Sequence, residues 1–166
     1  ESSQAFVFGS SILRERILSA IPPGRFLNLH LGLSPYYRGS GTNFWPFVNK
    51  ELEFVGSTIL HIDAGVDTGD IISHETPTFE IGDNVHTAGC KVIKESAARL
   101  ISLMEMVRNG QALPRVKQWE TPGARYYRKR DFNENILEQY KKNLAEGLIE
   151  DYLKNGGKQN IKLIKI

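Results

Sequence analysis

Phe26-Leu27-Asn28-Leu29-His30 alternates apolar and polar residues with the period of two expected of a β-strand. On such a strand Leu27 and Leu29 share one face, and Asn28 and His30 share the other. Toward the N-terminus, Ala5-Phe6-Val7-Phe8 reads as the end of a second strand, and Ser10 is placed to N-cap a helix running to about Ala20. Pro22-Pro23-Gly24 stops that helix. A strand–helix–strand opening of this kind predicts an α/β fold, with right-handed crossover and parallel strands.

Toward the C-terminus, residues 32–41 are rich in turn formers, and Thr42 or Asn43 is expected to cap a helix ending near Asn49. The β-branched runs Val55–Ile62 and Ile71–Thr78 predict two more strands around the glycine-bearing turn Ala64–Gly69. Asp83-Asn84 then caps a long amphipathic helix carrying Val85, Ala88, Val92, Ala97, Leu100, Leu103 and Val107, which Asn109-Gly110 ends. A last helix is expected from about Asn133 to Tyr152, broken by Gly156-Gly157 and followed by a lysine-rich tail or loose strand.

With 166 residues, 40% of them hydrophobic, the chain can bury one core and is too short for two ordinary domains. Its net charge of +2 demands neither a nucleic-acid nor a membrane partner. The basic cluster Arg125, Arg128, Lys129 and Arg130 reads as a solvated face. The single cysteine, Cys90, is expected to be a small buried hydrophobe, and its lack of a disulfide partner favours a reducing compartment. No apolar run reaches the roughly 18 residues that cross a bilayer. The start also lacks the features of a signal peptide, so the cytoplasm is the expected location.

Asn28, His30 and Asp67 are the candidate chemistry. An amide donor, an imidazole and a carboxylate that converge can polarise a carbonyl, move a proton and orient the group that moves it. Singly each signal is weak, because a histidine on an apolar strand is more often a hydrogen-bonded core residue and Asp before Thr-Gly often only shapes a turn. His61, His74 and His86 lack ligand-like spacing and read as structural or surface residues, so no metal is expected.

The wider string carries more information. Asn28-Leu29-His30, the loop Gly32-Leu33-Ser34-Pro35-Tyr36-Tyr37-Arg38-Gly39, and then Asp67-Thr68-Gly69-Asp70 together resemble the formyltransferase domain family, over roughly residues 5–108. The resemblance implies a Rossmann-like formyltransferase fold, with a mixed, mostly parallel sheet flanked by helices. Residues 1–125 would be the catalytic portion and residues 126–166 a C-terminal helical extension and tail.

It also implies 10-formyltetrahydrofolate as co-substrate. Asn28 would hydrogen-bond the formyl oxygen, His30 would polarise the carbonyl and help move a proton, and Asp67 would orient His30 or a water and help accept the amine's proton. Ser11, Ile12 and Leu13, with Asp63, Ala64, Gly65 and Val66, resemble the segments that hold the pterin. Ser34-Pro35 is expected to be cis, because loops resembling this one turn at that proline.

Family members carry a further N-terminal part that is missing here. The chain is therefore expected to be a fragment, to be completed by a partner or in a homo-oligomer, or to be a degenerate relative. The aromatic helix start at Phe44-Trp45 is closer to the tRNA and sugar members, and the roughly fifty-eight residues after Arg108 are not expected to form a second tRNA-binding domain. A small amine, such as an amino group on a nucleotide-linked sugar, is the expected acceptor. The alternatives are a hydrolase releasing formate from the same folate, and a non-catalytic folate-binding or scaffold relative.

Overall fold

The computed structural model of the chain describes residues 4–10, 13–20, 22, 24–63, 65–156 and 161–166. Its strands are β1 (Ala5–Phe8), β2 (Phe26–His30), β3 (Tyr37–Gly39), β4 (Ser57–His61), β5 (Ile71–Glu75) and β6 (Arg125–Tyr127). Its helices are α1 (Glu15–Leu18), α2 (Trp45–Asn49), α3 (Val85–Arg108), α4 (Glu134–Ala145) and α5 (Leu148–Lys154). The main sheet has four strands in the order β1-β2-β4-β5, and β3 pairs with β6 in a separate two-stranded sheet.

The sheet is mixed, as expected, but its parallel share is smaller than expected. β1 and β2 are parallel, whereas β2–β4 and β4–β5 are antiparallel. The connection from β4 to β5, residues 62–70, is too short for the crossover that a parallel pair needs.

The alternation in β2 works as its sequence suggests. Leu27 and Leu29 join Ile59, Ile72 and Leu103 in one buried cluster under α3. Full burial of side chains like these stabilises by roughly 1.5–3 kcal/mol each. Asn28 and His30 point the other way, with Asn28 opposite Leu60 in register. A second cluster gathers Phe47, Leu52, Val55, Phe79, Ala88, Val92, Leu148 and Ile149, and so ties α2, α3 and α5 together.

Asn84 caps α3 by accepting from the backbone N–H groups of His86 and Thr87, in the predicted place. Other expectations are corrected. The described helix after Ser10 starts later than expected: α1 begins at Glu15, with Arg14 at its cap and no side-chain cap bond. The loop 32–41 contains β3. Thr42 and Asn43 do not cap α2, because the Thr42 hydroxyl donates to the Leu31 carbonyl and Asn43 accepts from the Gly56 N–H. Both side chains therefore tie the helix entry back to the strand segments.

The expected last helix is two helices. Gly147, with φ of 85°, sits between α4 and α5 in a left-handed conformation that a glycine adopts without steric cost. Cys90 is exposed. The buried residues of α3 include Ala88, Val92 and Ser96, and Cys90, two residues past Ala88, lies about 200° around the helix from it.

Residues 161–166 lie beside β5. The His74 N–H donates to the Ile164 carbonyl at 2.8 Å, and the Ile164 N–H donates to His74 Nδ1 at 2.9 Å. The Lys162 ammonium stands 4.1 Å from the Trp119 ring centre. No helix among the described residues is long and apolar enough to cross a membrane.

Candidate active site

Asn28, His30 and Asp67 come together in a cleft of about 740 Å³. Asn28 Nδ2 donates to Asp67 Oδ1 at 3.3 Å, and His30 Nδ1 lies 3.3 Å from Asp67 Oδ2. The same Oδ2 accepts from the Gly39 N–H at 3.3 Å. His30 and Asp67 are largely buried, at 7% and 12% side-chain exposure, so their contact is poorly screened by water.

The other imidazole nitrogen, Nε2, lies 3.1 Å from the Tyr37 carbonyl. Both ring nitrogens thus face oxygens, and the ring plane is set from two sides. A neutral imidazole donates to one of these oxygens, and a doubly protonated ring donates to both.

Asp67 reaches the strand residues from a turn. Its φ is 54°, an uncommon value for a residue with a side chain. Its carbonyl accepts from Gln118 Nε2 at 2.7 Å and from the Ser34 hydroxyl at 3.4 Å. Ser34 is itself tied down, its N–H donating to Thr58 Oγ1 at 2.8 Å while His74 Nε2 lies 2.8 Å from its carbonyl. The Ser34-Pro35 bond is cis.

Of the residues expected to hold a pterin, Leu13, Asp63, Gly65 and Val66 line the same cleft, whereas Ser11, Ile12 and Ala64 lie outside the described residues. Asp63 shapes its own turn, accepting from the Gly65 N–H at 3.0 Å and from the Thr68 hydroxyl at 2.7 Å. Val7, Phe8, Leu60 and Ile62 are among the further apolar residues of the lining.

A second, more polar set of walls was not anticipated from the sequence. Ser40, Thr42 and Asn43 line the cleft together with Tyr126, Tyr127, Arg128 and Lys129. The basic cluster is therefore not simply a solvated face. Arg125 forms a two-pronged pair with Glu51, at 3.1 and 2.6 Å, and Arg128 and Lys129 border the cleft.

Behind β6 lies a hydrogen-bonded hub. The Tyr37 hydroxyl donates to Glu51, and Asn49 Nδ2 donates to the hydroxyls of both Tyr37 and Tyr127. Burial, then the Glu51 contact, pushes the Tyr37 hydroxyl well above the ordinary phenol range. Burial pushes the Glu51 carboxyl up, but the Arg125 and Tyr37 hydrogen bonds outweigh it and leave the group below its ordinary value. Tyr127 stacks on Trp45 with ring centres 4.0 Å apart.

Gly39 faces Tyr127 across the β3–β6 pair. It has a φ of 94°, and an added Cβ would run into the Tyr127 carbonyl. The aromatic and basic run 126–129 was the available sequence signal for this wall. Nothing in the local pattern marked Gln118.

His61 and His74 are structural, as read. His61 Nε2 lies 3.0 Å from the Pro114 carbonyl, and His74 bridges the Ser34 loop and the tail. Burial holds both below the ordinary histidine value, His74 to about 4. Among the described residues, no group of three or more His, Cys, Asp or Glu side chains is arranged to hold a metal ion.

The methionyl-tRNA formyltransferase of Desulforamulus reducens is 36% identical over 107 residues, covering 64% of this chain and 33% of that enzyme. The same enzyme from Thermodesulfovibrio yellowstonii is 32% identical over 120 residues, covering 72% of this chain and 38% of its own length. The chain thus spans about a third of the curated relatives it matches.

Among solved structures, the formyltransferase PseJ of Anoxybacillus kamchatkensis, in complex with UDP-4,6-dideoxy-4-formamido-L-AltNAc and tetrahydrofolate, superimposes with a TM-score of 0.68. The two chains are 24% identical, and the superposition covers 88% of this chain and 72% of that one. The sugar 3N-formyltransferase WlaRD, in the presence of dTDP and 5-N-formyl-THF, gives a TM-score of 0.65 at 25% identity, covering 77% of this chain and 45% of that one. The model of the family described as formyl transferase matches residues 6–104, more than half of the sequence, and the chain belongs to that family.

Proposed function

We propose that the protein transfers a formyl group from 10-formyltetrahydrofolate to the amine of a small acceptor, an amino group on a nucleotide-linked sugar. The observation that carries this reading is the convergence of Asn28, His30 and Asp67 in one cleft with both apolar and basic walls. The walls around Leu13, Ile62 and Val66 suit a flat heterocycle. The walls around Tyr127, Arg128 and Lys129 suit an acceptor bearing phosphate.

In this reading the acceptor nitrogen attacks the formyl carbon, and the new C–N bond forms as negative charge gathers on the formyl oxygen. Asn28 holds one amide N–H toward Asp67 and has a second to donate to that oxygen. Removing a preorganised donor of this kind elsewhere costs about 3–4 kcal/mol of transition-state stabilisation. Asp67, with His30, receives the proton that the attacking amine loses. The bond to the folate nitrogen then breaks, that nitrogen is protonated, and a formamide and tetrahydrofolate leave. Residues 126–166, which lie beyond the family match, we read as an extension that builds the acceptor side. The free thiol of Cys90 fits a cytoplasmic setting.

The test incubates the full-length protein with 10-formyltetrahydrofolate and a panel of amines that includes UDP- and dTDP-linked amino sugars and methionyl-tRNA. Formamide formed on an amino sugar is the expected result. Formate released at the same rate with or without an amine makes the protein a hydrolase, and neither product leaves a folate-binding relative. Arg128→Met is expected to raise KM for the acceptor several-fold and to leave that for the folate unchanged.

A further inference from the structure

Asp67 is the member of the site whose position is least explained by its own element. It stands in a turn, at positive φ, and such a conformation persists only where the surroundings hold it. The strongest hold comes from beyond the matched region of the chain. Gln118 Nε2 donates to the Asp67 carbonyl at 2.7 Å and to the Gly69 carbonyl at 2.9 Å, so one amide nitrogen closes the tripeptide Asp67-Thr68-Gly69 from both ends.

The segment bearing Gln118 is itself fastened at Pro114, Arg115, Val116 and Trp119. The Pro114 carbonyl meets His61, and Arg115 donates to Asp70 Oδ2 at 3.2 Å. Val116 exchanges backbone hydrogen bonds of 2.8 and 2.9 Å with Ile71, and Trp119 stands edge-on to His74. Gln118 thus reaches the turn from a rigid strip laid along the start of β5. Its hydrogen bonds go to the turn, not to Asn28 or His30, and it is not among the residues lining the cleft.

We propose that Gln118 is a positioning residue for Asp67: by pinning the turn's carbonyls it holds the carboxylate against the three groups that it meets, the Asn28 amide, the His30 ring and the Gly39 N–H. The proposal rests on the catalytic reading of Asp67 given above. The carboxylate lies 3.3 Å from each of the three, so a small rotation of the turn is enough to separate the groups. Misplacement of a reacting group by about 1 Å can cost roughly 10²-fold in rate.

The experiment measures kcat and KM for Gln118→Met in the full-length protein, on the native and Asp67→Asn backgrounds, with tetrahydrofolate affinity in parallel. The expected result is a fall in kcat of up to about 10²-fold on the native background. KM for the folate and tetrahydrofolate binding should hold, and little further loss should appear on the Asp67→Asn background. Gln118→Glu keeps the shape but sets a carboxylate against two carbonyls. Its activity relative to the native protein should recover as pH falls and the carboxyl regains a proton to donate.

Full activity in Gln118→Met, equal losses on the two backgrounds, or loss of tetrahydrofolate binding along with rate would each overturn the assignment. Asp67→Asn at full rate would overturn the catalytic reading itself, whatever Gln118 does.

Discussion

Asn28 and His30 stand on a strand paired on both sides, to β1 and to β4, whereas Asp67 stands on a turn without ladder partners. The two regions supply the same cleft by different means. On β2, backbone pairing sets the height of each residue and the alternation sets its face, so Leu27 and Leu29 in the core guarantee Asn28 and His30 in the cleft. At Asp67 the hold is made by single contacts from Ser34, Gly39 and Gln118, which come from two other stretches of chain. A strand position can therefore lose its side chain and keep its geometry, while the turn depends on each neighbour.

The largest effect is expected where the two regions meet. His30→Ala and Asp67→Asn should each slow formyl transfer by roughly 10²–10⁴-fold, as general acid–base groups do. Groups acting as a unit are not additive, so the double variant should be scarcely worse than the worse single one. A double-mutant cycle with tetrahydrofolate affinity measured alongside decides the matter, and strictly multiplicative losses would separate the two roles.

Acid tests the support of the Ser34 loop. His74 is fully buried, and its value falls from 6.5 to about 4, mainly through burial with some help from the Lys165 charge. Between those values the unfolded chain binds a proton that the folded chain refuses. The stabilisation is complete above about pH 6.5 and is lost as pH falls toward 4, on the order of 3 kcal/mol in all. His61 shifts in the same direction and adds to the slope. Urea unfolding across this range should show the decline, with a shallower slope in His74→Gln. A flat profile would contradict the buried neutral bridge.

Gly39→Ala probes the donor that β3 offers to Asp67. Its positive φ and the approach of the Tyr127 carbonyl leave no room for a methyl group. A loss of about 1–3 kcal/mol is expected in unfolding experiments, with reduced formyl transfer. Gly147→Ala should cost less, about 1 kcal/mol, and should leave transfer rates unchanged, because the α4–α5 junction lies away from the cleft.

Much of the fold was legible because its signals are local. The alternation over residues 26–30, the Asn84 cap and the four-residue steps of α3 each follow from side-chain chemistry within a few positions, and they were found where expected except at Ala97, which is exposed while Ser96 is buried. The shared face of Asn28 and His30 was legible too, since it follows from strand arithmetic alone. The errors came where a local signal has several possible partners. Thr42 and Asn43 carry good capping groups, but the Leu31 carbonyl and the Gly56 N–H claimed them. Arg128 and Lys129 read as part of a solvated face, but β3 draws β6 alongside itself and sets both at the wall of the cleft.

The amino-acid sequence by itself thus determined the strand and helix periods, the face on which Asn28 and His30 stand, and the family motif that includes Asp67. Tertiary structure decided the antiparallel pairings of β4, the break at Gly147, and the contacts that hold Asp67. The physical reason is separation along the chain. Periodicity and capping act over a few residues, but the bond from Gln118 to Asp67 joins groups 51 residues apart, and only the folded chain brings that amide to that carbonyl.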